Sequence, residues 1–389
     1  MEVIGRFFEA PRGHYFLFGP RGTGKSTWIA AAYPTAQWVN LLAPETHRAL
    51  AARPERLRDL IAANPDKQVI VIDEVQRLPA LLDVVHEQIE ARRGSVRFIM
   101  TGSSARKLRR AGVNLLAGRA LSKSLHPFMA AELGERFDLD RALNHGLVPL
   151  VWSAEDPGGA LGAYLSLYVR EEVQAEGLVR NLGDFTRFLE AISLSHGAVL
   201  NLANVSRECE ISRKTAEGYL SILEDLLLAF RVPVFSRKAK RHLVVHSKFY
   251  WFDVGVYRSA RPAGPLDRPE EIGGAALEGL VAQHLRAWID YSGKNCALYF
   301  WRTKSGTEID FVIYGRDGFW ALEVKNTARI QPADLRGLRG FRGDYPAAAC
   351  GLVYRGTERI VVDGILCIPC DMFLRQLRPD RSFPISIAP

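Results

Sequence analysis

Long hydrophobic runs are missing from this sequence of 389 residues, so a membrane-spanning helix, which needs about 18 consecutive apolar residues, is not expected. The first residues, MEVIGRFFEAPRG, include Glu2 and no apolar core, which argues against a secretory signal. The five cysteines follow no disulfide framework, and the single CxxC, Cys367 and Cys370, has no second ligand pair for structural zinc. We therefore expect a cytoplasmic protein with no membrane partner.

The composition is that of a globular protein, with 48% hydrophobic and 24% charged residues. At this length the chain has room for two or three domains with ordinary cores. Its formal net charge of +8 is compatible with a nucleic-acid partner, although such an excess also occurs in proteins that bind no polyanion. The positions of the basic residues are therefore more informative than their number.

Short apolar runs alternate with helical patterns in the first third of the chain. The stretches STWIAAA and PERLRDLIAAN predict helices between these runs. Strands and helices that alternate at this spacing indicate an α/β fold with a parallel sheet. The runs predict buried strands at 14–18, 36–42, 69–73 and 96–102.

A phosphate-binding motif, GPRGTGKST (19–27), follows the first predicted strand and precedes a helix. The glycines let the backbone N–H groups face phosphates, the lysine places its charge at the β- and γ-phosphates, and the hydroxyl ligates magnesium. The motif therefore predicts binding of ATP with Mg²⁺, with Lys25 also acting in catalysis and Ser26 as a metal ligand. The expected nucleotide contacts are Gly19, Gly22, Thr23, Gly24, Lys25, Ser26 and Thr27.

Two further strands end in residues suited to this site. VIVIDEVQ (69–76) ends in two acids, of which Asp73 is expected to hold Mg²⁺ and bind the nucleotide, while Glu74 polarises the attacking water. FIMTGSS (98–104) ends in hydroxyls where a sensor of the γ-phosphate would lie, and Thr101 and Ser103 are the candidates. Ordinary capping of a strand end is the alternative for these hydroxyls.

A basic run without any acid lies between Thr101 and His126. One of its cations could serve as an arginine finger, and Arg119 is our candidate. The alternative is a solvated basic face that contacts nucleic acid or nothing. The run consists of Arg106, Lys107, Arg109, Arg110, Arg119 and Lys123.

Residues 201–232 predict two helices joined by a short turn, with Asn201 able to cap the first and Ser212 the second. The β-like stretches VPVFS and HLVVH follow, an order typical of a winged helix–turn–helix, whose second helix enters the major groove. Arg213 and Lys214 begin this second helix, so they are the expected base contacts.

The expected wing, 231–248, carries six cations and no acid. Such a wing can follow DNA phosphates, and the alternatives are a protein contact or a solvated loop. The six cations are Arg231, Arg237, Lys238, Lys240, Arg241 and Lys248, among which Lys238, Lys240 and Arg241 are the candidate nucleic-acid contacts.

Acids and a lysine recur on neighbouring elements of the C-terminal third. The strands EIDFVIY and LEVK are expected to pair, which would bring Asp310 and Glu323 together with Lys325 beside them. Two carboxylates and an ammonium in one cavity are costly unless a divalent cation lies between them, and such a metal activates water in hydrolases. We therefore expect a second divalent metal on Asp310 and Glu323; a surface salt-bridge cluster or a decayed site is the alternative. The candidate catalytic residues are Glu278, Asp310, Glu323 and Lys325.

In order, these features resemble a family of prokaryotic ATPases. In that family an AAA-like P-loop domain of the ASCE type precedes a winged helix and a PD-(D/E)XK nuclease-like core of uncharacterised function. The resemblance covers nearly the whole chain and rests on GPRGTGKST, VIVIDEVQRLP, FIMTGSS, LHPF (125–128), YVREEV (168–173), SRKTAEGYLSILEDL, KFYWFDVG (248–255), EIDFVIY and LEVK. It implies ATP binding through the P-loop and the acidic pair, and a nuclease-type site at the four C-terminal candidates. The run EVQRLPALLD departs from it by lacking a second arginine finger, which leaves assembly into a homo-oligomer open.

We accordingly expect a P-loop ATPase domain at 1–135, a helical lid or linker at 136–195, a winged helix at 196–258 and a nuclease-like α/β domain at 259–389. The first functional hypothesis is an ATP-regulated, metal-dependent nuclease that processes DNA in defence or repair. The second is an ATP-switched DNA-binding or signalling protein with an inactive nuclease fold. The third is an ATPase that remodels a protein partner.

Overall fold

The computed structural model describes residues 4–92, 94–104, 115–169, 173, 179, 181–236, 247–265 and 267–385. By contacts the chain divides into two compact units. The P-loop unit consists of Phe8–His126 and Leu223–Leu227, and the second unit consists of Met1–Phe7, Pro127–Ile222 and Leu228–Pro389.

A parallel sheet of five strands forms the centre of the P-loop unit, in the order β2-β3-β4-β1-β5. This confirms the predicted α/β fold and its four strands, whereas the edge strand β5 was not predicted. Because β4 lies between β1 and β3, the carboxyl ends of these three strands lie side by side. The strands are β1 (His14–Phe18), β2 (Gln37–Asn40), β3 (Val69–Asp73), β4 (Arg97–Gly102) and β5 (Ala120–Ser124).

Helices pack on this sheet through apolar side chains. Ile70 and Ile72 of β3 belong to one buried cluster with Leu82 and Val85, which lie on one helix. Strands with this nearly continuous apolar pattern are typical of parallel sheets covered on both faces. The helices are α1 (Lys25–Ala32), α2 (Pro44–Ala52), α3 (Arg56–Ala62) and α4 (Leu81–Arg92), and Val75–Arg77 and Leu115–Gly118 form short 3₁₀ turns.

The second unit begins with short helices, as the pattern of 126–195 predicts. Asp253 caps the helix Val254–Ala260 and accepts hydrogen bonds from the N–H groups of Leu147 (2.7 Å) and Gly255 (2.9 Å). Gly146 has a φ of 74°, and a Cβ there would lie 1.9 Å from Asp253 Oδ1, so this contact requires glycine. The helices are α5 (Ala130–Leu133), α6 (Leu139–His145), α7 (Pro149–Trp152) and α8 (Pro157–Ala163), followed by a π-helical turn at Tyr164–Val169.

Three helices and a small antiparallel sheet follow. Strand β8 is central in this sheet, between β6 and β7. Tyr219 lies edge-on against the rings of Phe185 and Phe188, with centroids 5.1 and 5.4 Å apart, and so joins the first helix to the third. The elements are α9 (Leu182–Ser193), β6 (Ala198–Val199), α10 (Leu202–Glu208), α11 (Arg213–Asp225), β7 (Ala229–Pro233) and β8 (Ser247–Trp251).

A mixed sheet of six strands completes the unit, in the order β13-β14-β12-β11-β10-β9. The strands β9, β10 and β11 are antiparallel neighbours, as predicted, whereas β11, β12 and β14 run parallel. The strands are β9 (Cys296–Arg302), β10 (Glu308–Gly315), β11 (Gly318–Lys325), β12 (Ala349–Tyr354), β13 (Ile360–Val362) and β14 (Ile365–Pro369). The helices are α12 (Val254–Ala260), α13 (Pro269–Ser292), α14 (Arg336–Asp344) and α15 (Cys370–Gln376).

Candidate functional sites: a P-loop and an ion-paired acidic cluster

The loop between β1 and α1 has the conformation that its motif predicts. Gly22 and Gly24 have φ angles of 77° and 86°, in the left-handed region that residues with a side chain disfavour. Gly19 packs so closely that a Cβ there would lie 2.5 Å from Leu125 O. Gly24 is the N-cap of α1, so the positive end of this helix follows the loop directly, the arrangement by which P-loops bind phosphate.

Lys25 is buried against the backbone of this loop. Its Nζ donates hydrogen bonds to the carbonyl oxygens of Gly19 at 2.7 Å and Pro20 at 3.2 Å. Thr23 Oγ1 also donates to Pro20 O, at 2.8 Å. The loop therefore keeps a positive charge at the place where the motif binds phosphate.

The predicted magnesium ligands meet beside the loop. Ser26 Oγ lies 3.1 Å from Asp73 Oδ1 and 3.3 Å from Oδ2, and Thr101 Oγ1 donates to Asp73 Oδ1 at 2.5 Å. The order of the strands explains this meeting, because β4 places Thr101 next to the end of β3. A hydroxyl and a carboxylate are the oxygen donors that Mg²⁺ prefers, so these residues fit the ion.

Glu74 is held in a defined position after β3. Its φ of 59° is uncommon for a residue with a side chain and is typical of functional sites. The N–H of Glu74 donates to Thr101 Oγ1 at 3.0 Å, and its carboxylate accepts a hydrogen bond from Gln76 Nε2. The same amide of Gln76 contacts Ser103 Oγ at 3.0 Å. Both predicted sensors, Thr101 and Ser103, are therefore in hydrogen-bond contact with this acidic pair or with Gln76.

The other predicted residues of this unit lie further out. Thr27 is exposed in the first turn of α1. Arg119 forms an exposed ion pair with Glu90 of α4, and no described contact joins its side chain to Asp73 or Glu74. Its role as an arginine finger stays a prediction. The basic residues Arg106, Lys107, Arg109 and Arg110 lie outside the described residues.

A buried lysine forms the centre of the C-terminal acidic cluster. Lys248 of β8 is 1% exposed, and its Nζ lies 2.6 Å from Glu308 Oε1, 2.9 Å from Glu278 Oε1 and 3.1 Å from Asp310 Oδ1. Burial alone would lower the pKa of Lys248, but the carboxylates of Asp310, Glu278 and Glu308 raise it above its usual range. The lysine therefore carries a fixed positive charge among three acids.

Tyr250 completes this side of the cluster. It lies two residues after Lys248 on the same face of β8, and its hydroxyl donates to Glu278 Oε1 at 2.5 Å. Burial and the nearby charge of Asp310 raise the pKa of Glu278 to about 7, against the opposing effect of Lys248. Glu278 thus depends on its two partners for stabilisation of its charge.

The predicted meeting of Asp310, Glu323 and Lys325 is present. Phe311 lies opposite Leu322 in the antiparallel pair, and Asp310 Oδ2 accepts the N–H of Val324 at 2.9 Å. Lys325 Nζ donates to Glu323 Oε1 at 2.6 Å. Burial and the charge of Asp310 raise the pKa of Glu323 to about 8.

Hydrogen bonds and ion pairs within the protein already engage the acids of this cluster. Each oxygen of Asp310 already accepts a hydrogen bond, one from Lys248 and one from the backbone of Val324. Within the described ranges no group of three or more His, Cys, Asp or Glu side chains is placed to hold a metal ion. Two lysines supply the positive charge that the sequence had led us to expect from a metal. A metal on Asp310 and Glu323 therefore stays an untested prediction that this arrangement does not favour.

The predicted nucleic-acid contacts are only partly described. Arg213 and Lys214 lie exposed in the first turn of α11, and Ser212 Oγ accepts the N–H of Thr215 at 3.0 Å, so the predicted cap is present. The wing residues Lys238, Lys240 and Arg241 lie outside the described residues. The prediction of Lys248 as a wing cation is wrong, because its side chain is buried among acids and unavailable to phosphates.

Comparison with known families identifies the first part of the chain. Residues 12–134 match the family model described as an AAA domain. The chain carries an AAA-type ATPase domain. This match and the geometry of the P-loop agree on nucleotide binding. Residues 136–267 and 273–373 match two models described as domains of unknown function, DUF8612 and DUF4143.

Two relatives are similar over most of the chain. Uncharacterized proteins of Mycobacterium bovis and Mycobacterium tuberculosis are each 26% identical over 370 residues, which is 92% of this chain and 80% of the relative. Three solved structures are also similar to parts or most of the chain. A replication initiator DnaA bound to AMPPCP and single-stranded DNA has a TM-score of 0.29 at 12% identity, covering 55% of this chain and 82% of that chain. AMPPCP-bound DnaA from Aquifex aeolicus has a TM-score of 0.26 at 12% identity, covering 55% of this chain and 81% of that chain. A protein of Vibrio cholerae has a TM-score of 0.22 at 13% identity, covering 94% of this chain and 96% of that chain.

In the described part of the chain, every helix is too short or too polar to cross a membrane.

Sequence reasoning missed Gln76 and misplaced Lys248. Gln76 lies two residues after Glu74, and a polar residue at this spacing from an acid is a weak signal of a functional contact, because such spacings are common on surfaces. For Lys248 a stronger signal existed, since it opens the apolar strand KFYW, where an exposed cation would be unusual. Lys248 and Tyr250 are two residues apart, so this strand carries two hydrogen-bond donors on one face.

Proposed function

We propose that the AAA domain hydrolyses ATP, with Mg²⁺ held by Ser26 and Asp73. The observation that carries this proposal is the hydrogen-bonded set of Ser26, Asp73 and Thr101 beside Lys25. The ion, when bound, neutralises charge on the transferred phosphoryl group. Lys25 stabilises the β- and γ-phosphates, and the backbone N–H groups after Gly22 and Gly24 orient them.

Glu74 is the proposed residue that polarises the attacking water. Its backbone N–H is fixed by Thr101 and its carboxylate by Gln76, so the position of the acid depends on both neighbours. We expect Glu74→Gln to retain nucleotide binding and to reduce hydrolysis by about a hundredfold or more, because the general base is lost. Fluorescent-nucleotide titration and phosphate release measure the two effects separately. Unchanged hydrolysis would refute the assignment.

DNA is the proposed partner of the second unit. The elements α9, β6, α10, α11, β7 and β8 follow in the order of a winged helix, and α11 presents Arg213 and Lys214 at its exposed first turn. Arg213 also pairs with Glu217 at 3.0 Å, which leaves its guanidinium positioned along the outer face of α11. These features support contact with the major groove. ATP-dependent repositioning of this unit on DNA is the proposed use of the hydrolysis.

Fluorescence anisotropy with a labelled duplex tests this partner. We expect Lys214→Glu to weaken binding about tenfold at low salt and to reduce the salt dependence, because a phosphate-contacting cation is replaced by an anion. Lys304→Glu is the matched control, since it makes the same change of charge at another exposed position of the unit. Equal losses in both variants would indicate a general charge effect and would count against α11 as the DNA contact.

The C-terminal domain is proposed to be an ion-paired platform and not a metal-dependent nuclease. The position of Lys248 among Glu278, Glu308 and Asp310 carries this proposal, because its ammonium supplies the charge that a metal would otherwise supply. One observation favours the second candidate, a nuclease: Glu323 Oε2 is buried with no hydrogen-bond partner among the described residues, next to Lys325. Such an oxygen is costly to bury and is suited to a ligand.

A cleavage assay separates these two candidates. Linear, circular and single-stranded DNA are incubated with Mg²⁺ or Mn²⁺, with and without ATP, beside Asp310→Ala. The platform proposal expects no cleavage by either protein while both still bind DNA. Cleavage by the parent that Asp310→Ala abolishes would replace the platform with the nuclease.

A further inference from the structure

A polar cavity in the second unit has a location typical of ligand sites. It has a volume of about 410 Å³, within the range that small ligands occupy. Asn326 and Ala328 follow the last residue of β11, and Arg355 follows the last residue of β12, so the cavity lies at the carboxyl ends of two parallel strands. Ligands bind at this edge in open α/β sheets. The lining residues are Asp140, Leu143, Asn144, Arg258, Gly273, Asn326, Ala328 and Arg355.

Arg258 is the unexplained residue of this cavity. Its Nε is buried, and among the described residues no hydrogen-bond partner is found for this atom. A guanidinium N–H buried without an acceptor costs more free energy than an ordinary unmade hydrogen bond, because the group is charged. The second arginine, Arg355, is different, since its Nη2 donates to Asp140 Oδ1 at 2.7 Å. Among the described residues Arg258 also forms no ion pair, so it brings a positive charge to the cavity that no carboxylate neutralises.

Two carboxamides and a glycine complete the site. Asn144 and Asn326 bring further donors to the cavity from α6 and from the end of β11. Gly273, in α13, leaves room for one of them, because a Cβ at this position would lie 2.9 Å from Asn326 Nδ2. Two guanidinium groups and the single carboxylate of Asp140 give the cavity a net charge of +1. An anion with one negative charge and several acceptor oxygens matches these donors.

We propose that this cavity binds a phosphodiester of nucleic acid, held by Arg258 with the carboxamides of Asn144 and Asn326. A phosphodiester carries one negative charge, which matches the net charge of the cavity, and its two free oxygens can accept hydrogen bonds from a guanidinium and from carboxamides. Asn326 directly follows Lys325, the last residue of β11, so the cavity lies next to the cluster to which Lys325 belongs. The proposal rests on DNA as the partner of this unit, and it adds a site for one backbone phosphate beside the acidic cluster.

Calorimetric titration of the full chain with the dinucleotide d(TpT) tests this site. This probe contains one internal phosphodiester and is too short to occupy a major groove, so a failed winged-helix contact does not affect it. Saturating AMPPNP keeps the P-loop occupied. We expect d(TpT) to bind the parent, and Arg258→Gln to weaken binding by about 10- to 100-fold, as the loss of charge-assisted hydrogen bonds implies.

Arg268→Gln is the matched control, because Arg268 is an exposed arginine of the same unit. We expect this variant to bind d(TpT) with the affinity of the parent. Asn326→Asp is a second variant with an unchanged side-chain size, and its added negative charge is expected to weaken binding as well. No binding to the parent, or equal affinity in Arg258→Gln and the parent, would overturn the proposal. Inorganic phosphate that binds more tightly than d(TpT) would overturn the assignment of a diester in favour of a free phosphate.

Discussion

Lys248 Nζ lies 3.1 Å from Asp310 Oδ1, although 62 residues separate the two in sequence. This contact joins the small sheet that contains β8 to the large sheet that contains β10. It also changes how the acidic cluster is interpreted, because the ammonium group of Lys248 lies among the carboxylates where a metal ion was expected. The first prediction therefore concerns the charge of Lys248, which the fold has buried.

Lys248→Met is expected to destabilise the second unit by about 3–5 kcal/mol. The substitution retains most of the side-chain volume but leaves Glu278, Glu308 and Asp310 without their shared cation, and the removal of one partner of a buried pair is strongly destabilising. Urea unfolding, followed by circular dichroism, measures the change. Lys304→Met, at an exposed position, is the control and should alter stability by less than about 0.5 kcal/mol.

A double-mutant cycle with Asp310→Asn shows whether the loss comes from charge. Asp310→Asn removes one of the uncompensated carboxylates, so it should recover part of the stability of Lys248→Met. If the two substitutions are additive, the pair of Lys248 with Asp310 does not contribute to stability, and the lysine acts through Glu278, Glu308 or packing.

Lys25→Ala is expected to lower ATP affinity by at least about tenfold while the domain stays folded. Lys25 supplies the point charge for the β- and γ-phosphates, and its hydrogen bonds in the loop go to backbone carbonyls that water can satisfy. Fluorescent-nucleotide titration measures the affinity, and Lys67→Ala in the same unit is the control. Parent-like affinity in Lys25→Ala would contradict the assignment of the P-loop.

Gln76→Leu is expected to slow ATP hydrolysis by about tenfold or more with little change in ATP affinity. The substitution removes the amide that holds the carboxylate of Glu74 and leaves the contacts of Lys25 and Ser26 in place. Phosphate release under single-turnover conditions measures the step. Gln37→Leu, on the edge strand, is the control, and an equal loss in both variants would exclude a specific role for Gln76.

Local patterns predicted the parts of these sites that depend on neighbouring residues. The P-loop is one continuous motif, and the pairing of Asp310 with Glu323 follows from period two in two adjacent strands. Lys248 could not be assigned in the same way, because its partners come from α13 and β10, which only the tertiary fold brings to β8. A basic stretch without acids indicated a wing, and only the apolar run KFYW marked the point where a buried strand begins.

The contribution of two buried histidines to the stability of the second unit is expected to fall as the pH falls from about 6.5 to 4. His284 and His196 are buried, and burial lowers their pKa values to about 4 and about 3. His284 is neutral in the folded unit, where its Nε2 accepts the N–H of Ala130 at 2.9 Å. Because these histidines take up protons near pH 6.5 in the unfolded chain and not in the folded unit, their protonation in acid favours unfolding. Each histidine contributes a slope of up to about 1.4 kcal/mol per pH unit.

His284→Gln tests the origin of this slope. Glutamine offers an oxygen that can accept the N–H of Ala130 and an amide that can donate to Leu280 O, the 2.7 Å contact of His284 Nδ1, yet it does not titrate. Between pH 7 and pH 5, the stability measured by urea unfolding should therefore change less unfavourably in the variant than in the parent, by about 1–2 kcal/mol. An identical loss in the two proteins would mean that other groups govern the acid sensitivity of this unit.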